Sequence, residues 1–214
     1  MVQTVGITKA ITNLEAAQEK FNLSQTDDRL FFTEWSDNLP ELNEREKTEL
    51  DRLKNRYLYY VRKGKLTEGT IKIILLSPLL ELMGLCDPPF EIQGERYVKV
   101  EIEDGGEEEP VLEGYIDALV VQDKLWIVLI ESKRYGFSVM QALGQTLAYM
   151  MANPNSESPF FGMITNGEDY IFVKLDKRSR QYALSDKFTL IKQSSNELYE
   201  VVRAIKRFIM MLSV

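Results

Sequence analysis

Apolar residues recur at helical spacing over the first part of the chain, and near residue 90 they switch to alternation. From Asn43 onward, Leu50, Leu53, Tyr57, Tyr60 and Val61 fall on one helical stripe. Gly64, flanked by Lys63 and Lys65, reads as the stop of that helix. Upstream, Ile7 to Phe21 carries a mixed helical pattern, and Asp37-Asn38-Leu39-Pro40 reads as a break. Residues 1–65 are therefore expected to be helical. Thr67 is a candidate N-cap for the next helix, whose apolar face runs Ile71, Ile74, Leu75, Leu79, Leu82 and Met83. Pro78 should kink it and Gly84 should end it.

Strand patterning begins at Phe90, with alternation from Tyr97 to Glu103. Val111–Val121 and Leu125–Ser132 are separated only by Gln122-Asp123-Lys124, which predicts an antiparallel hairpin. The run Leu125-Trp126-Ile127-Val128-Leu129-Ile130 is wholly apolar, as expected of a strand buried on both faces. Ser138–Ala152 returns to helical spacing and ends at Asn153-Pro154-Asn155. Phe160–Thr165 and Tyr170–Leu175 flank Asn166-Gly167, the strongest hairpin signal in the chain. Tyr182–Leu190 is a further strand candidate. Ser194-Ser195-Asn196-Glu197 reads as a capping box opening a last helix, with Leu198, Val201, Val202, Ile205, Phe208, Ile209 and Leu212 on one face. This order predicts an α/β sandwich with a central mixed sheet.

Charge and composition narrow the chemistry. The chain contains no histidine, which removes Ser-His-Asp and Cys-His nucleophile schemes and histidine-type zinc sites. Catalysis would have to use carboxylates, lysine, tyrosine or a hard cation. The net charge of −7 argues against a surface devoted wholly to nucleic acid. Its distribution is uneven: Glu101, Glu103, Asp104, Glu107, Glu108 and Glu109 surround Gly105-Gly106, while Arg52, Lys54, Arg56, Arg62, Lys63 and Lys65 meet no acid within their own run. The single cysteine, Cys86, forms no disulfide within the chain and fits a reducing, cytoplasmic setting; it reads as a buried or half-buried thiol. No window approaches the roughly 18 apolar residues of a membrane span, and the N-terminus carries no signal-peptide pattern.

The informative residues are Gly114-Tyr115-Ile116-Asp117, Glu131-Ser132-Lys133 and Gln145-Thr146-Leu147-Ala148-Tyr149. Glu131 and Lys133 are two apart on one strand and so leave the same face. Asp117 lies on the hairpin partner, within a few positions of Glu131. Two carboxylates brought together in a buried sheet need a cation to neutralise them. Magnesium suits them, because it needs only one or two carboxylates besides water and phosphate. Lys133 could then orient or deprotonate an attacking water and offset charge on the phosphorane. Gln141, Gln145 and Tyr149 share a helix face by i, i+4 spacing, where neutral donors suit phosphates or base edges.

In this order the three segments resemble the GxxD, ExK and QxxxY motifs of the PD-(D/E)XK nuclease superfamily, and more narrowly RecB-type nucleases and the N-terminal nuclease domain of type I restriction enzyme R subunits. Thr67-Glu68-Gly69-Thr70 and Ser77 to Leu85 look like the first helix of that restriction domain. The resemblance covers about residues 66 to 175. It implies a restriction-endonuclease-like three-layer core with a central mixed β-sheet between helices. Residues 66–214 would form it, and residues 1–65 would be an N-terminal helical extension. It further implies a Mg²⁺-dependent deoxyribonuclease, with Mn²⁺ as a substitute, serving restriction, defence or repair. Asp117, Glu131 and the Ser132 carbonyl would hold the metal, Lys133 would be the catalytic lysine, and Glu68 matches the acid that the first helix often supplies. Gln145 and Tyr149 would orient substrate or the lysine. R subunits continue into a helicase motor, whereas these residues contain no Gly-x-x-x-x-Gly-Lys-Ser/Thr loop. DNA is thus the expected partner, together with a helicase or specificity subunit; a homodimer is compatible with this reading.

Each element has a plainer reading. A lone Glu-x-Lys is usually a surface ion pair, Gln145 and Tyr149 could be a half-buried helix face, and Glu68 could be a first-turn acid facing the helix dipole. The basic run from Arg52 with Tyr57, Tyr59 and Tyr60 reads better as a solvated face over a tyrosine-lined core than as a phosphate grip. A catalytically silent nuclease-fold module for DNA binding or assembly is the alternative function.

Overall fold

The computed structural model describes residues 4–64, 66–102, 110–122, 125–132, 135–155, 157 and 159–212, with backbone alone for 125–132 and 212. A mixed sheet runs through the molecule. Its strands are β1 (Thr4–Gly6), β2 (Ser24–Gln25), β3 (Phe90–Val100), β4 (Val111–Gln122), β5 (Leu125–Ser132), β6 (Phe160–Thr165), β7 (Asp169–Asp176), β8 (Gln181–Leu184) and β9 (Phe188–Thr189). They are ordered β1-β4-β5-β6-β7-β8-β2, with β3 also on β4 and β9 also on β7. The pairs β1/β4, β5/β6 and β2/β8 are parallel, and the others are antiparallel.

Helices cover both faces. On one lie α3 (Glu44–Arg62), α4 (Glu68–Ile71), a π-helical turn (Lys72–Leu76), α5 (Ser77–Leu82) and α7 (Leu198–Leu212). They share a core with Ala118, Val120, Phe161, Met163 and Phe172 of the sheet. On the other face α1 (Ile7–Ala10), α2 (Leu14–Phe21) and α6 (Leu143–Met151) pack on Leu112, Ile116, Leu119, Ile164 and Val173. The chain is therefore a mixed α/β protein with helices flanking a mixed sheet.

The helices start and stop where local chemistry requires. Asn43 and Glu46 form a reciprocal capping box on α3, and Thr67 accepts from the Thr70 N–H to cap α4. Gly64 and Gly84 end their helices with φ of 80° and 73°, a backbone that disfavours any side chain. Pro78 sits in the first turn of α5, directly after the π turn, which absorbs the irregularity expected of a kink.

Several expectations are corrected. Residues 1–65 are not helical throughout, since Thr4–Gly6 and Ser24–Gln25 are strands of the sheet. Three and two residues are too few to show a period of two. The capping box at Ser194 does not form. Glu197 instead accepts from the Thr189 N–H at 2.7 Å and from Lys192 at 2.5 Å, while Asn196 accepts from the Leu198 N–H. Cys86 is exposed rather than buried. Most of the acidic stretch around Gly105-Gly106 lies outside the described residues. The basic helix face is tied to its neighbours: Arg52 pairs with Glu49, Lys54 donates to the carbonyls of Lys192 and Ser195, and Arg56 donates to that of Ile74.

Candidate functional site

Strand β4 carries the site at a slip in its alternation, below a separate register shift against β5 at Val120/Val121. Leu112 and Ile116 face the same core as Leu119 and Val121, so alternation slips by one residue between Ile116 and Leu119. Strand β3 slips at the same level, because Ile92 packs in one core and Val98 in the other. The ladder runs Gly94↔Ala118 and Arg96↔Ile116, which sets Glu95 opposite Asp117, and Glu95 has a φ of 49°. Asp117 thus sits where both strands turn over.

The other edge of β4 changes partner at this level. Strand β3 lines one edge from Leu112 to Gln122. On the opposite edge β1 pairs with Val111–Glu113 and β5 with Ala118–Gln122. On that edge the β1 pairing stops at Glu113 and the β5 pairing begins at Ala118, so the partner changes over beside Asp117. The β4/β5 register ends at Ala118↔Ile130, and its next step would pair Asp117 with Glu131. Glu131 and Ser132 continue into a parallel ladder with Ile164 and Thr165 of β6. Their side chains, and Lys133 altogether, lie outside the described residues. Just beyond, the Asn166 side-chain amide donates to the Phe137 carbonyl at 2.8 Å, tying the segment after Lys133 to the β6–β7 turn.

Two candidate acids meet on one cation. Lys72 Nζ donates to Asp117 Oδ1 at 2.8 Å and pairs with Glu68 Oε1 at 2.9 Å. Asp117 is mostly buried, with 18% of its side chain exposed, whereas Glu68 keeps 41%. Burial alone would push the Lys72 ammonium below its ordinary range; hydrogen bonds to Asp117 and Glu68 outweigh it and hold the lysine above. Lys72 is the site residue that sequence reasoning missed. Its only signal is its i, i+4 spacing from Glu68, which reads as routine helix support.

Tyr149 approaches from the opposite layer. It is 97% buried on α6, and a Cβ on Gly114 would lie 2.9 Å from its ring and 3.0 Å from its hydroxyl oxygen. The first residue of GxxD and the last of QxxxY are therefore in contact, and only glycine permits that approach. Gln145, one turn earlier, is half-buried, and Gln141 is exposed in a 3₁₀ turn (Val139–Ala142). A cavity of about 640 Å³ lies here, lined by Gly6, Thr8, Glu113, Gly114, Tyr149 and the exposed pair Tyr97 and Tyr115. The two exposed rings are 5.4 Å apart. The Tyr97 hydroxyl donates to Glu113 at 2.6 Å, which pushes its ionisation up to about 12.

Asp117 and Glu68 already converge on a single positive charge, and both are oxygen ligands of the kind magnesium takes. Among the described residues no group of three acids or thiols is arranged around a metal position.

No protein-family model matches the chain, and no curated protein matches it. Among solved structures it is similar to a fragment assigned as an HsdR subunit of a type I restriction enzyme from Vibrio vulnificus, with 18% identity and a TM-score of 0.42. The similarity covers 68% of this chain but only 26% of that one. No helix among the described residues is long and apolar enough to cross a membrane.

Proposed function

We propose that the chain is a divalent-metal-dependent nuclease of the PD-(D/E)XK type, hydrolysing DNA phosphodiester bonds with Mg²⁺, or Mn²⁺ in its place. One observation carries the reading: Asp117 and Glu68 converge on one cation position, and the β4/β5 register stops at Ala118↔Ile130, one step short of Asp117 and Glu131. The motif order supports the same reading.

Asp117, Glu131 and the Ser132 carbonyl would hold the metal, with Glu68 at its margin. The ion would supply Lewis acidity and a more acidic bound water. Lys133 would hold the attacking water and offset charge growing on the phosphoryl oxygens. Gln145 and Tyr149 would orient substrate or lysine from the other layer, Tyr149 being held in place by its packing on Gly114. DNA is the proposed partner, with a helicase or specificity subunit supplying targeting.

The test is cleavage of supercoiled plasmid and of linear single- and double-stranded DNA with Mg²⁺ or Mn²⁺, repeated with Lys133→Ala. Cleavage that Lys133→Ala abolishes is expected. A folded wild-type protein inactive on all these substrates would overturn the reading.

A second reading is favoured by Lys72 itself. Its ammonium pairs with both carboxylates, which suits a catalytically silent DNA-binding or assembly module. Calorimetry separates the two, because only the nuclease binds Mn²⁺ in an Asp117-dependent manner.

A further inference from the structure

Lys72 is placed with unusual care. It opens the π-helical turn Lys72–Leu76, and its carbonyl accepts from both the N–H and, at 2.9 Å, the hydroxyl of Ser77. Arg56 donates to the Ile74 carbonyl of the same turn at 2.9 Å, so side chains brace the turn at two carbonyls. Ile71, Ile74 and Leu75 are buried around it, and Ile71 presses on Gly167, where an added Cβ would meet it at 3.0 Å. The turn cannot rotate without exposing these residues, so Lys72 stays over Asp117. An i, i+4 Glu–Lys pair on a helix surface needs none of this. Here the lysine also bridges to a strand 45 residues further along the chain.

The ammonium and a metal ion cannot share these oxygens. Two cations within a few ångströms of one carboxylate repel each other, the more strongly where water is partly excluded. The Lys72 side chain nonetheless keeps 30% of its surface in solvent, so its charged end can swing out.

We infer that Lys72 is a built-in counterion that competes with the metal: it holds Glu68 and Asp117 together while the site is empty and must leave when a divalent cation binds. The inference rests on the metal-site reading above, and the device makes occupancy weaker and conditional. Removing the charge should raise metal affinity about tenfold, the effect of a modest electrostatic competitor.

The test is calorimetric titration of the full chain with MnCl₂ for wild type, Lys72→Met, Lys72→Arg and Asp117→Asn, with melting temperatures measured with and without Mn²⁺. Lys72→Met should bind about tenfold more tightly than wild type and gain more thermal stability from Mn²⁺. Lys72→Arg, which keeps the charge, should stay near wild type, and Asp117→Asn should not bind. If Lys72→Met unfolds without metal, Lys72→Gln makes the same comparison, because it keeps a donor and loses the charge. Wild-type binding that depends on Asp117 but is equal or weaker in the neutral variants would overturn this inference and leave the nuclease reading standing. Absence of Mn²⁺ binding in every variant would overturn both.

Discussion

The Lys72 ammonium lies 2.8 Å from Asp117 Oδ1 and joins the helical layer to the point where β4 turns over. The carboxylate is thus held in place by a charge partner, so removing its charge separates function from fold. Asp117→Asn keeps the shape and should abolish Mn²⁺ binding and reduce DNA cleavage by at least about a hundredfold. The partly exposed pair is worth roughly 1 kcal/mol, so chemical denaturation should register little change. Wild-type cleavage rates in a purified, folded Asp117→Asn protein would remove Asp117 from the site.

Gly114 and Tyr149 form the second relationship that can be tested. A methyl group at position 114 would sit 2.9 Å from the tyrosine ring and 3.4 Å from Cβ of Ile7, with no room on that face of the strand. Gly114→Ala should displace Tyr149 and destabilise the protein by about 1–3 kcal/mol, as overpacking usually does. Cleavage should fall as well, because the ring would no longer face the cavity. Tyr149→Ala opens the space, so the double variant should lose less than the sum of the two single changes. Urea unfolding of all three variants gives that coupling, and strict additivity would argue against the contact.

The parts of this arrangement that could be read from sequence are those with a local code. The stripe Leu50, Leu53, Tyr57 specified α3, Thr67 announced α4, and the short spacer before Leu125 announced the β4/β5 hairpin. The bounds of β5 agree residue for residue. Asn166-Gly167 also sits at its turn, with Gly167 at a φ of 85°. What was illegible depends on the whole chain. Strands β1 and β2 exist only because β4 and β8 offer parallel edges. The slip at Asp117 needs a matching slip at Glu95, and neither residue signals it alone. Lys72 belongs to the site only because a π turn aims it at a distant strand. Ser194 to Glu197 matched a cap on paper, but β9 and Lys192 compete for Glu197 and win.

The N-terminal segment is bound to helix α6 by a backbone approach that admits no side chain. A Cβ on Gly144 would lie 2.4 Å from the Asn13 carbonyl oxygen and 2.8 Å from its carbon, and Asn13 is the N-cap of α2. Alanine in place of glycine normally favours a helix by about 1 kcal/mol. The clash falls on backbone rather than on a movable side chain, so it should outweigh that gain. Gly144→Ala should cost about 2–3 kcal/mol and make residues near 13 more sensitive to protease. Limited proteolysis beside urea unfolding checks both effects; a stabilised variant would mean that α2 can move away freely.

Helix α7 is fastened by two carboxylates whose ionisation couples stability to pH. Burial pushes Glu46 up, but the hydrogen bond from Lys206 and the Asn43 N–H outweigh it and hold the group below its usual range. Glu197 is likewise pushed up by burial and held low by Lys192 and the Thr189 N–H. A carboxylate with a lowered folded-state pKa stabilises the protein above its unfolded value, near 4.5, and loses that contribution as pH falls through the folded value. Melting temperature should therefore be flat with respect to these groups from pH 7 to about 5 and fall below about pH 4.5. Glu46→Gln removes a charge-assisted bond worth about 2 kcal/mol. That loss should lower the melting temperature at pH 7 by several degrees and flatten the acid slope. A wild-type melting temperature unchanged between pH 5 and 3 would show that neither carboxylate holds α7 in this way.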